Sequence, residues 1–256
     1  MALPRIMVAP NGARKLKADH PAVPLTEDEI VACARDCFVA GADGLHLHIR
    51  DADGGHLLDA KTYQSAVSAV ARAVPDMAIQ ITTEAVGTYG TEVQKQVALN
   101  SGASMVSVSI AEMCRDGEHA AQLFYAECAA RGIAVQHILY DVADAALLAC
   151  VLPEALFRAG ALQVLFVLGR YSESQTSDPD ELTPFLDWMT QEDLSPDWAL
   201  CAFGPRETEC LARASEAGGK CRIGFENSLF MADGRVAKDN AERVAELVER
   251  LASAGR

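Results

Sequence analysis

The segment Thr26–Asp51, TEDEIVACARDCFVAGADGLHLHIRD, contains one complete helix–turn–strand unit. Thr26 followed by Glu29 is a capping-box pattern, which predicts a helix starting after Thr26. That helix runs to Ala40 and stops at Gly41. A strand is predicted over Gly44–Arg50. Strand side chains alternate between faces, so His46 and His48 share one face while Leu45, Leu47 and Ile49 take the other. Two imidazoles side by side are half of a zinc-type site. A downstream stretch, Arg222–Asn227 (RIGFEN), offers Glu226 as a carboxylate to complete it.

The same unit recurs in both directions. Strands are predicted at Arg5–Pro10, Ala78–Glu84, Met105–Ile110, Ala134–Tyr140, Leu162–Gly169, Asp197–Gly204 and Lys220–Phe225. Helices are predicted at Asp59–Val74, Thr91–Asn100, Glu118–Arg131, Val142–Ala159 (interrupted near Pro153), from Pro179 to about Met189, at Arg206–Ala217 and at Asp239–Ala252. Loops cover Asn11–Pro24 and Arg170–Pro179. Eight strand–helix units in 256 residues predict a single-domain α/β chain folded as a closed (β/α)8 TIM barrel. A doubly wound open sheet is the alternative. It would usually carry a glycine-rich nucleotide loop after its first strand, and Asn11-Gly12-Ala13 is not one.

Composition narrows the function. The chain is 50% hydrophobic, enough for a large core, and its net charge is −14, which argues against nucleic acid or an anionic membrane as partner. No apolar run reaches the ~18 residues of a membrane span. The first residues lack the basic and cleavage regions of a signal peptide, so a cytoplasmic protein is expected. The eight cysteines contain no CxxC pair and fit buried free thiols in a reducing compartment.

In a TIM barrel the chemistry sits at the C-terminal ends of the strands. Those ends supply Asn11, His46, His48, Thr82, Thr83, Glu84, Ser107, Ser109, His137, Arg170, Arg222, Glu226 and Asn227. The first strand lies between the second and the eighth, so the histidines and Glu226 sit on second-neighbour strands roughly 10 Å apart, within side-chain reach of one ion. Two imidazoles and a carboxylate make an open catalytic zinc set; iron(II) or manganese can use the same ligands. Arg222, if it faces the mouth, needs a carboxylate partner, and a substrate carboxylate would serve. Arg50-Asp51 reads as a local ion pair that buttresses the ligands. His137, mid-strand in an apolar run, reads as a satisfied core histidine.

Taken together, VAPNGARK, HLHIRD with a following DG, QITTE, the FVLG strand end and R-x-GFEN resemble the β-keto acid cleavage enzymes, in order and over nearly the whole chain. The resemblance implies a TIM barrel, a zinc ion, and an exchange in which a β-keto acid and acetyl-CoA give acetoacetate and a new acyl-CoA. Carried over, it implies His46, His48 and Glu226 as metal ligands and Arg222 as the substrate-carboxylate arginine. Thr82 would be the hydroxyl beside the substrate, where serine is usual. Asn11, Thr83, Ser107, Ser109 and Arg170 are further candidates for the polar substrate pocket. Barrels of this family generally associate, so a homo-oligomer, a tetramer, is expected.

Two positions depart from the best-known pattern. The carboxylate that follows the ligand glutamate, assigned there as base, is here Asn227, and an amide cannot remove a proton. Glu84 is the nearest replacement by strand position. Arg14 stands where an acidic residue faces an ammonium group, which argues for a neutral or anionic substrate. Two other functions compete. A barrel hydrolase of the amidohydrolase kind would need its His-x-His pair on strand one and a histidine on strand six, and neither is present. A metal-holding protein that binds keto acids or acyl-CoA without turnover would follow from the loss at Asn227.

Overall fold

The computed structural model describes residues 1–170 and 175–254. Eight parallel strands close into one barrel: β1 (Ile6–Val8), β2 (Gly44–Leu47), β3 (Ala78–Thr82), β4 (Met105–Ser109), β5 (Ala134–Leu139), β6 (Gln163–Leu168), β7 (Asp197–Ala202) and β8 (Lys220–Ile223). Each is hydrogen-bonded to its chain neighbours, and β1 closes the ring on β8 through Ile6–Cys221, Met7–Arg222 and Val8–Ile223. The outer helices are α1 (Glu27–Val39), α2 (Ala60–Ala73), α3 (Thr91–Asn100), α4 (Glu118–Ala130), α5 (Val142–Val151), α6 (Thr183–Gln191), α7 (Glu207–Glu216) and α8 (Asn240–Ala254). The fold is therefore the TIM barrel that the eightfold repeat predicts. No described helix is long and apolar enough to cross a membrane.

Local chemistry sets the element ends. At α1 the Thr26 side chain accepts from Glu29 N, and the Glu29 carboxylate accepts from Thr26 N, which is the expected box. Asp59 caps α2 and Asp141 caps α5. The helix expected over Val142–Ala159 divides at Pro153, whose ring cannot continue a helix; a short turn, Glu154–Phe157, follows. The loop expected over Arg170–Pro179 includes residues 171–174, which lie outside the described residues.

Alternation produces two cores. Outward residues such as Leu45, Leu47, Val106, Val108, Val164 and Phe166 pack under the helices, each large side chain contributing about 1.5–3 kcal/mol on burial. Inward residues Met7, Met105, Leu165 and Ala199 fill the barrel. On one side of the barrel the inward positions are polar: Gln80 and Thr82 on β3 and Arg222 on β8, facing Ile138 of β5, Val167 of β6 and the Phe203 that follows β7. That polar side positions the site.

Two expectations are corrected. The His-x-His strand is not continuous to Arg50. The barrel strand ends at Leu47, and Ile49–Arg50 pairs instead with His56–Leu57 in an antiparallel ribbon, because the chain turns out of the barrel at His48. Arg50-Asp51 is also not an ion pair. Arg50 donates to the carbonyls of Asn11, Gly12, Lys15 and Gly54, while Asp51 accepts from the N–H groups of Asp53 and Gly55. A buried guanidinium thus satisfies loop carbonyls and holds the first loop against the ribbon.

Candidate active site

His46 and His48 converge at the mouth with Nε2 atoms 3.1 Å apart, and Glu226 Oε2 lies 3.8 and 3.7 Å from them. All three donor atoms fall within 4.8 Å of one another. Both histidines are buried. Burial, reinforced by Arg222 at His46 and by His56 at His48, pushes both imidazoles well below their ordinary pKa, so they are neutral and their lone pairs are available. Burial opposes ionisation of Glu226, but the Arg222 guanidinium, with Arg170 behind it, outweighs it and holds the carboxyl below its usual range. Its Oε2 has no hydrogen-bond partner among the described residues. Two neutral imidazoles and an ionised carboxylate with a free oxygen fit a divalent zinc-type ion.

Backbone geometry brings Glu226 there. After β8 the chain turns at Gly224, with φ +145°, where a Cβ would lie 2.4 Å from the Ala9 carbonyl oxygen. Glu226 N donates to that carbonyl at 3.0 Å. Asn240, at the start of α8, ties Phe225 N to the Pro10 carbonyl. Gly12 has φ +57° and lies against the stem of Glu226, where any Cβ would come within 2.6 Å of Cγ. Asn11 donates to the carbonyls of Pro24 and His48, so it ties the first loop to the backbone of a ligand histidine.

Around this cluster, Thr82, Glu84, Arg170 and Arg222 line one cavity with His46 and Glu226. Arg222 is buried; its Nη2 reaches Glu226 Oε1 at 3.4 Å and Cys201 Sγ at 3.5 Å, while Nε and Nη1 have no described partner. Arg170 donates to Glu84 Oε1 at 2.7 Å and stacks over Phe203. Thr82 Oγ1 accepts from Glu84 N. Asn11 and Arg14 line an adjoining cavity of about 160 Å³ that shares Glu84, Arg170 and Glu226 with the first.

Other candidates do not line that cavity. The Thr83 hydroxyl donates to the Ser107 carbonyl, away from the metal-site cluster. Ser109 caps the short helix Ile110–Met113. Ser107 is buried in register between Thr82 and Gln136 with an unpartnered hydroxyl. Asn227 is turned away: its amide donates to Glu207 Oε1 and the Arg222 carbonyl and accepts from Cys201 Sγ. His137 is buried beside Tyr125, but its Nδ1 has no described partner, so it is a core histidine without being a satisfied one.

Three contributions were missed in the sequence. Gln80 Oε1 meets His46 Nδ1 at 2.8 Å, and Gln80 Nε2 donates to Gln136 Oε1 at 2.9 Å. This relay fixes the His46 ring and directs Nε2 to the cluster. The inward parity of Gln80 within QITTE was the available signal. His56 donates to the Glu84 carbonyl and lies 5.2 Å, ring to ring, from His48. Glu207, fully buried, pairs with Arg243 and accepts from Gly224 N and Asn227 Nδ2, which anchors the Glu226 loop. Nothing local in the sequence marks that pair.

A closed barrel with a His–His–Glu cluster beside a buried arginine at the strand ends defines the class as a TIM-barrel enzyme with a candidate metal site at its mouth. The chain belongs to the beta-keto acid cleavage enzyme family, whose model matches residues 5–256. Among curated proteins it is 27% identical to the 3-keto-5-aminohexanoate cleavage enzyme of Fusobacterium nucleatum, over 98% of this chain and 92% of that one. It is 28% identical to the 3-oxoadipate:acetyl-CoA acetyltransferase of Cupriavidus necator, over 98% and 89%. Among solved structures, ObcA in a ternary complex with a C4-CoA adduct and oxalate superposes with a TM-score of 0.77 at 17% identity, over 93% of this chain. This chain spans 65% of the length of ObcA, and the likeness is one of fold.

Proposed function

We propose that this enzyme exchanges a β-keto acid with acetyl-CoA, giving acetoacetate and a new acyl-CoA. The observation that carries the reading is the buried Arg222, with two unpartnered donor nitrogens, beside the His46–His48–Glu226 cluster. His46, His48 and Glu226 would hold zinc, or iron(II) or manganese in its place. When bound, the ion supplies Lewis acidity that makes the proton next to a keto group easier to remove.

The chain's own residues supply the rest. Arg222 binds the substrate carboxylate through the N–H groups of its planar guanidinium that lack partners among the described residues, a charge-assisted contact that suits an anion. Thr82 lies in the same cavity and orients the substrate through its hydroxyl. Besides Glu226, Glu84 is the carboxylate that lines this cavity among the described residues, and it takes the role of base. Its ion pair with Arg170 holds it in place and must loosen for proton transfer. The engagement of Asn227 with Glu207 supports this assignment, because that amide faces away from the substrate. Arg14 in the adjoining cavity supports a neutral or anionic tail on the keto acid. We place the enzyme in the cytoplasm, which its eight free thiols suit, as a homotetramer; exposed Val39 and Leu123 on the outer helices offer apolar contact.

The test is to incubate metal-loaded protein with a panel of β-keto acids and acetyl-CoA and assay acetoacetate and new CoA esters. Exchange is expected with at least one acid that lacks an amino group. Turnover of none, with tight metal and ligand binding retained, would favour a holding role instead. His46→Ala and His48→Ala are each expected to lose bound metal by elemental analysis. Full occupancy in either would show that the metal site is misassigned.

A further inference from the structure

The hydrogen bonds around the paired histidines fix which ring nitrogens carry protons. Gln80 Nε2 donates to Gln136 Oε1, so Gln80 Oε1 is an acceptor and His46 Nδ1 donates to it at 2.8 Å. A neutral imidazole has one N–H, which leaves His46 Nε2 as a lone pair. The 3.1 Å contact between the two Nε2 atoms therefore takes its proton from His48, and His48 Nδ1 is a lone pair. That nitrogen is buried and without a partner among the described residues. On the antiparallel ribbon, His56 Nε2 donates to the Glu84 carbonyl at 2.8 Å, so its Nδ1 is a lone pair as well. It too is buried and unpartnered among the described residues, and the two rings lie 5.2 Å apart, centroid to centroid. Tyr89 donates its hydroxyl to the His56 carbonyl at 3.1 Å, which fixes the ribbon there.

Two neighbouring buried acceptors with no donor between them carry a desolvation cost that one proton removes. Ligation of a metal through His48 Nε2 moves that proton to Nδ1, with none gained or lost by the ring. A ligating histidine almost always donates its other N–H to a fixed acceptor. We propose that His56 is the positioning residue of His48: in the metal-loaded protein His48 Nδ1–H donates to His56 Nδ1, directly or through one buried water. That role rests on the metal site proposed above. His56 then does for His48 what Gln80 does for His46. Through its bond to the Glu84 carbonyl it also joins metal occupancy to the strand end that carries the proposed base.

The probe is zinc, followed by competition with a chromophoric chelator and by NMR of the full chain labelled with 15N-histidine. Zinc should convert His48 from the Nε2–H to the Nδ1–H form and shift the His56 Nδ1 nitrogen as it accepts a bond. His56→Phe keeps a ring but removes the acceptor, and zinc affinity should fall about 10- to 100-fold. His56→Asn places an amide oxygen where Nδ1 stood and should recover most of that affinity. Both variants lose the bond to the Glu84 carbonyl, so a merely structural role would weaken zinc binding equally in the two. The nitrogen shift is measured on the wild type and needs no variant to fold. Wild-type affinity in His56→Phe would overturn the assignment and pass the role to Asn11 Oδ1, a buried acceptor that also lacks a described partner. Equal losses in the two variants, or a His56 nitrogen that zinc leaves unmoved, would overturn it as well. Failure of the wild type to bind zinc would sink the metal site and this role together, and so is told apart from a failure of His56 alone.

Discussion

Two buried charged clusters lie within a few residues of each other on the β8 side of the barrel, and they are built differently. In the first, Glu207 is saturated: it accepts from Gly224 N, Asn227 Nδ2 and Arg243, and only Arg243 Nε is left over. In the second, Arg222, Glu226 and His48 keep polar atoms without partners among the described residues. The saturated cluster fixes a loop. The unsaturated one leaves the Arg222 and Glu226 atoms for a ligand at the mouth, which is where the proposed reaction takes place. By its hydrogen bonds to Glu207 and to the Arg222 carbonyl, Asn227 belongs with the clamp.

The largest effect expected is on the clamp. Arg243→Met leaves Glu207 buried and unpaired, and should cost about 3–5 kcal/mol in urea unfolding. A loss within experimental error would mean that the pair does not anchor the loop. Next is the mouth. Arg222→Lys keeps the charge but removes the fork, and kcat/KM for the keto acid should fall roughly tenfold to a hundredfold with metal content unchanged. An equal fall in melting temperature for both variants would erase the distinction between the clusters.

A third variant probes the support of the metal site. Gln80→Leu frees the His46 ring, and metal affinity should drop by about 10- to 100-fold in competition with a chelator while the fold persists. The smallest effect is far from the site. At Glu29, burial raises the pKa, but hydrogen bonds from Lys17 and from the N–H groups of Leu25 and Thr26 prevail and hold it at about 2. The folded pKa is depressed, so its stabilisation is present above the ordinary value of 4.5 and is lost as the pH falls toward 2. Glu29→Ala should cost about 0.5 kcal/mol at neutral pH, discounted for the exposure of the Lys17 pair, and nothing near pH 2. A difference that persists there would exclude the carboxylate as its source.

Much of this was legible beforehand. Period-two runs flanked by glycines and capped helices specify eight β/α units because alternation and capping are local properties. His46 and His48 are two residues apart, so their shared face follows from strand geometry alone. Their partner Glu226 was reachable once the barrel order was assumed. The Arg50-Asp51 reading failed because adjacency in sequence is not adjacency of side chains: Arg50 reaches Gly12, 38 residues away.

What the sequence determined by itself is the barrel, the polarity of its strand ends and the identity of the metal-site candidates, since each rests on residue spacing. The tertiary structure alone decided which polar groups remain unpaired. Gln80 holds His46 across 34 residues and Glu207 meets Arg243 across 36. Whether a buried polar atom is satisfied depends on every neighbour that closure brings near it, and no local pattern encodes that. For the same reason Asn227, one residue from a metal-site candidate, faces the clamp.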